Sequence, residues 1–354
     1  MSLARTLMNG GIVGTLESNI NPSRYGHEQG ATVIAMESVE ELHEIFLESY
    51  NYEQADLAAA TEGVALEGSQ YEAVAEASMK GMFTKIKEFF IKLRDKVKAF
   101  LHEVRKYLDA VFMSGKDFAK KYEKEIDKMD NIKDFSYKMF TYDDAAIDSV
   151  DKYADPKDAA DEMTSVLDDV FAQAEKLDKN SDLGDAGLED IDRLIKEIKD
   201  TSEDDRIVQT VTYGKCKSAD DFDEYAFGKF RKGATGPDDK EDKDLSGSDV
   251  KSMAKTLVDS KALSRFDSVQ SSSDKLYATA IKKVDAAEKK FSNAKGQVAS
   301  KSAEALRLYS SGVSKLQSYD NRMINAWKAA VKERDSVYKS VIMAAFANNR
   351  KNSK

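Results

Sequence analysis

Cysteine, proline, histidine and tryptophan are scarce in this 354-residue chain, and each shortage removes a class of protein. A single cysteine, Cys216, excludes an intramolecular disulfide framework and any multi-cysteine zinc or iron–sulfur site. Only three prolines are present, Pro22, Pro156 and Pro237, which excludes a collagen-like or proline-rich chain and leaves long stretches open to helix. Three histidines, His27, His43 and His102, leave little for metal binding or general-base chemistry. No run of about 20 uncharged apolar residues occurs, so no helix is expected to cross a membrane. Met1 to Thr15 lacks the continuous apolar core of a secretory signal, and the chain reads as made in a reducing cytoplasm. Neither a Gly-x-x-x-x-Gly-Lys-Ser/Thr loop nor a Gly-x-Gly-x-x-Gly fingerprint is present. No base, nucleophile and oxyanion donor can be assembled from these residues, so the expectation is a non-enzymatic protein that needs no cofactor.

Lysine is missing from the first 78 residues, although the rest of the chain is rich in it. That block holds two arginines, Arg5 and Arg24, against 13 acidic residues, a net of −11. Residues 79–129 reverse the sign to +6, residues 130–270 carry −15 and residues 271–354 carry +10, for −10 overall. Such blocks can hold a chain together through its own opposite charges or meet different partners. For the two middle blocks the simpler reading is solvated helix faces, whereas the lysine-free block looks like a segment with a separate fate.

Hydrophobic spacing predicts a mainly α protein, an elongated helical bundle or coiled-coil body, with a small β-hairpin near 207–230. Residues 1–78 form the acidic N-terminal segment, in which Ser38 to Tyr52 opens with a capping box, Ser38 and Glu41, and carries Leu42, Ile45 and Phe46 at helical spacing. Residues 79–129 are a basic amphipathic region. Its strongest signal, Met82 to Phe112, repeats apolar residues every three or four positions, with Ser114-Gly115 expected to end or break the helix. Residues 130–232 are an acidic mixed region. Here Ile207 to Tyr213 reads as a β-branched strand that pairs with Tyr225 to Phe230. Residues 233–249 read as an exposed linker, and residues 250–354 as a helical hairpin or coiled coil with Gly296 and Gly312 as candidate breaks.

Five features carry possible chemistry. The helix 82–112 presents Phe83, Ile86, Phe89, Phe90, Leu93, Val97 and Phe100 opposite a lysine-rich side, the pattern of a membrane-surface helix and equally of a helix packed on its own chain. The packed arrangement is favoured, because the apolar stripe is no wider than a core-facing helix needs. The +10 block at the C-terminus carries enough basic charge to meet nucleic acid but no recognition motif accompanies it. Asp178, Asn180, Asp182 and Glu189 fall at steps 1, 3, 5 and 12 of a calcium loop, but Leu183 stands where the sharp turn requires glycine, so a polar loop without metal is expected. Cys216 lies between Lys215 and Lys217 with no histidine near it in sequence, and reads as an incidental thiol.

The last feature lies in the lysine-free block. Ala35-Met36-Glu37 precedes Ser38, Ala60-Thr61-Glu62 precedes Gly63, and Ala65-Leu66-Glu67 precedes Gly68, while Val74-Ala75-Glu76 before Ala77 is a looser fourth copy. A protease that grips extended chain needs small side chains flanking the cut and one specificity residue; an alanine- and glutamate-rich helix produces similar triplets by composition. These triplets resemble the sites at which maturation proteases of large tailed bacteriophages cut internal head proteins, after glutamate in a small-x-Glu context. The layout, an acidic segment ahead of a charge-rich helical body, is similar to that of internal head, inner-body or prohead-core proteins of phiKZ-like and T-even-like phages. The resemblance implies a structural protein of the virion interior, present in the host cytoplasm during assembly. It also implies an N-terminal propeptide cut at Glu37, Glu62, Glu67 or Glu76, with the maturation protease and other virion proteins as partners; the charge change on cutting adds packaged DNA, and the C-terminal helical pattern adds further copies of the chain. The alternative is a peripheral membrane or host-interaction protein that works through helix 82–112.

Overall fold

A computed structural model describes residues 68–179, 184–232, 239–259, 261–291 and 297–352. It is mainly α with one small antiparallel sheet. Two long helices set the scale. Helix α1 (Gly68–Lys121) has 54 residues and α10 (Gln297–Asn352) has 56, which at 1.5 Å per residue makes each about 80 Å long. Between them come α2 (Glu123–Asp127), α3 (Asp144–Ile147), α4 (Lys157–Lys179), α5 (Gly184–Thr201), α6 (Asp204–Val211), α7 (Phe222–Phe230), α8 (Gly247–Val258) and α9 (Lys261–Phe291). Strands β1 (Phe135–Met139) and β2 (Glu241–Leu245) pair antiparallel, with Phe135 opposite Leu245 and Met139 opposite Glu241.

The 207–230 region is helical, which corrects the expected position of the β element. Ile207 and Val208 are buried while Gln209 is exposed, a helical rather than alternating pattern, and Asp204 and Asp205 in the first turn of α6 favour its N-terminal dipole. Phe222, Ala226 and Phe230 likewise bury one face of α7 at four-residue steps. Burial against neighbouring helices outweighs the β preference of the branched residues here. The strands lie elsewhere. Phe135, Tyr137 and Met139 alternate inward along β1, whereas β2 is Glu-Asp-Lys-Asp-Leu, which has little strand propensity and owes its form to the hydrogen bonds its partner offers. Part of the stretch read as linker is therefore an edge strand followed by α8. A capping box opens that helix: Ser246 Oγ accepts from the Asp249 amide and the Asp249 carboxylate accepts from the Ser246 amide.

Helix α1 runs through Ser114-Gly115 without a break. Gly115 is instead a contact point, since a Cβ there would lie 2.6 Å from the Leu257 carbonyl oxygen on α8. Gly312 is likewise inside α10, where a Cβ would meet Met163 Sδ and Ser202 Oγ at 2.5 Å; Gly296 lies outside the described residues. Nor do α9 and α10 form a two-helix coiled coil. Helix α9 lies mainly along α1, while α10 packs against α1, α4, α5, α7 and α8 as the central column of the bundle. Its residues Tyr309, Val313, Leu316, Met323, Trp327, Val331 and Ile342 are buried in a single apolar core.

Candidate functional site

Of the candidate processing sites, Glu37, Glu62 and Glu67 lie outside the described residues, while Glu76 falls within α1. Cleavage after Glu76 therefore requires the first turns of α1 to unwind, because a protease grips extended backbone. Cleavage after Glu67 falls at the start of the helix, since Gly68 is its first residue.

The apolar face of α1 is core. Phe83, Ile86, Phe89, Phe90, Leu93 and Val97 are buried, and Phe100 packs partly buried against them. Helices α8, α9 and α10 cover this face, so a lipid surface reaches these side chains only if the bundle opens.

Three basic residues on the charged side of α1 pair with α9. Lys87 pairs with Asp285 at 2.6 Å, Lys98 with Asp274 at 3.1 Å, and Arg105 with Asp267. Each step up α1, eleven residues and then seven, is matched by the same step down α9, the register of an antiparallel pair. A second ladder joins the opposite flank of α9 to α4: Lys283 with Asp168, and, seven residues on, Lys290 with Glu175 at 2.7 Å. Lys179 and Lys290 both bond the Glu175 carboxylate and hold it down at about 2. Further basic residues of the last block, Lys301, Lys315, Arg322 and Arg334, reach Asp192, Asp204, Asp223 and Asp144. Much of the alternating charge is thus spent inside the fold.

Polar groups also enter the core. Arg231 and Arg334 are buried; they pair with Glu333 at 2.9 Å and Asp144 at 2.7 Å and tie α10 to the 142–148 and 227–231 segments. Tyr277 on α9 donates to Gln317 Oε1 at 2.7 Å, and Gln317 Nε2 donates to Asn321 Oδ1 at 2.9 Å. Beside this chain Asp320 is buried, and its Oδ2 has no partner among the described residues. Burial, with the Asp155 carboxylate as a second cause, pushes the Asp320 carboxyl up to about 7. A cavity of about 10 Å³ adjoins it, lined by Asp155, Tyr153, Phe222 and Tyr319, room for about one water.

An open cleft of about 550 Å³ separates the 145–149 turn from the start of α9 and is lined by Asp148, Ser149, Lys261, Ser264, Arg265 and Ser268 with Ala145. Burial raises the Asp148 carboxyl. Lys261 and Arg265 already face Asp259 and Asp151, and neither histidine nor cysteine lines the cleft to complete a nucleophile and base.

Asp178 ends up on α4 and Glu189 on α5, while Asn180 and Asp182 lie outside the described residues. Among the described residues no cluster of three or more carboxylate, histidine or cysteine side chains is placed to hold a metal ion. Cys216 is buried, and burial raises its thiol in spite of the flanking lysines. Sequence reasoning missed the ladders and the polar core of α10. The seven-residue spacing shared by Asp168/Glu175 and Lys283/Lys290 was the available signal for the first; the second had none, because Gln317, Asp320 and Asn321 look like ordinary surface residues in sequence. No family model, curated protein or solved structure matches this chain.

Proposed function

We propose that this chain is a non-enzymatic structural protein of the interior of a tailed-phage head, made in the host cytoplasm and trimmed during head assembly by the maturation protease. The observation that carries the reading is the coincidence of a candidate cut with a structural boundary. Ala65-Leu66-Glu67 ends where α1 begins, at Gly68. A cut there removes two arginines and 11 acidic residues and leaves every described element whole. The charge of the remainder is −1 instead of −10, which removes most of the repulsion between the chain and packaged DNA. A cut after Glu76 would also take nine residues from α1. On this reading the helical body is the mature component, it works through contacts with other virion proteins and with copies of itself, and it needs no cofactor.

Mass spectrometry of the N-terminus, on protein taken from its native particle or cell, tests the proposal. The expected mature start is Gly68. A start at Ser38, Gly63 or Ala77 keeps the processing and moves the site, whereas an intact start at Met1 or Ser2 overturns it.

A further inference from the structure

Helix α9 has two engaged flanks and one open ridge. Asp267, Asp274 and Asp285 face α1, and Lys283 and Lys290 face α4. Midway between these flanks, on the side away from the core, run Lys275, Lys282 and Lys289 at seven-residue steps, all exposed and without an ion-pair partner among the described residues. The positions along the same line are small and neutral, among them Ser271, Ala278 and Ala286, also exposed. The ridge therefore presents positive charge at a spacing of about 10 Å, with no acidic residue along it and no bulky side chain to keep another helix away.

We propose that residues 37–48 of the same chain dock on this ridge before processing. Glu41, Glu44 and Glu48 fall on one face of the helix expected at 38–52, with Leu42 and Phe46 on the far side, and Glu37 directly precedes its cap at Ser38. Glu37 and Glu44 are seven residues apart, as are Glu41 and Glu48. This is the spacing of the three lysines and of the α9–α4 ladder already formed. The segment also reaches. By the α1–α9 register Lys275 is level with Val97, 29 residues along α1 from Gly68, or about 44 Å. The 16 residues from Tyr52, the end of the helix expected at 38–52, to Gly68 span up to about 53 Å when extended. Tethering makes the encounter intramolecular, so weak charge pairs suffice to hold it. The acidic segment then covers the largest unpaired basic line of α9, and its removal uncovers that line for an acidic partner. That consequence rests on the processing reading; the contact itself does not.

The test uses the intact chain at low ionic strength. Zero-length carbodiimide coupling read by peptide mass spectrometry is expected to join glutamates of 37–48 to Lys275, Lys282 or Lys289. With isotopically light and heavy chains mixed, these links are expected to stay within one molecule. Amides of 37–48 are expected to exchange hydrogen faster in the variant Lys275→Glu/Lys282→Glu/Lys289→Glu than in the unaltered chain, and the difference is expected to vanish at high salt. Links that avoid all three lysines, links found only between molecules, or exchange indifferent to the triple reversal would each overturn the proposal. So would binding of a DNA duplex by the intact chain that the reversal abolishes, since the ridge would then be open to phosphate before any cut. The outcome is independent of the N-terminus found in particles, so failure here leaves the processing reading to its own test.

Discussion

Trp327 stacks on Phe266 with ring centroids 5.3 Å apart, at an interplanar angle of 19°, and its indole N–H donates to the Ile147 carbonyl at 2.9 Å. One side chain of α10 thereby fixes the position of α9 and of the short helix α3. Because it is the only tryptophan in the chain, its fluorescence reports on this junction alone. Trp327→Ala is expected to lower stability by about 3–5 kcal/mol, the usual cost of removing a buried large aromatic, with loss of a hydrogen bond to a buried carbonyl included. Urea unfolding followed by circular dichroism measures it; a cost below about 1 kcal/mol would mean the junction is not packed as described.

Helix propensity and packing make opposite forecasts for Gly115→Ala. Alanine is favoured over glycine in a helix interior by about 1 kcal/mol. At this position the added Cβ falls 2.6 Å from a backbone oxygen of α8, which cannot rotate away. Packing is expected to win, by about 1–3 kcal/mol of destabilisation. A rise in Tm would show that α8 does not approach α1 this closely.

Asp320 makes stability depend on pH in a direction opposite to that of most carboxylates. Its folded value of about 7 lies above the ordinary 3.8, so the folded state holds the proton more tightly than the unfolded one. The associated stability is present in full below about pH 4, declines as pH rises to 7 at up to about 1.4 kcal/mol per pH unit, and is gone above 7. Asp320→Asn keeps the shape and removes the charge. It is expected to melt higher than the unaltered chain at pH 8 and close to it at pH 4. An equal effect at both values would show that the side chain is not buried as an acid.

The α1–α9 ladder makes a prediction about register rather than strength. Lys98 and Asp274 are both about half exposed, so their coupling is expected to be below about 1 kcal/mol. Lys98→Glu and Asp274→Lys should each lower Tm slightly by placing like charges opposite one another, and the two together should restore it. Additive losses in the double variant would break the pairing.

Calcium is expected to leave Tm unchanged, because Leu183 stands where the sharp turn of a calcium loop requires glycine. A calcium-dependent rise would reinstate the 178–189 loop as a site.

The helical class, the long helix over Met82 to Phe112 and its buried stripe were legible in the order of residues, because apolar side chains recurring every three or four positions can be buried together only on a helix. The acidic, lysine-free opening and its small-x-Glu triplets are also properties of the chain alone, needing no fold to be seen. Folding settled which of two readings each ambiguous piece took. Ile207 to Val211 became helix because α6 buries Ile207 and Val208 together, and Glu241 to Leu245 became strand because β1 lay beside it. Glycines at 115 and 312, which resemble breaks in one dimension, are close approaches in three. The partners of α9, and the burial of Asp320, depend on contacts between residues far apart in the chain. Hydrophobic spacing shows which face of a helix turns inward, but the neighbour it meets is chosen by the packing and charge register of the whole bundle.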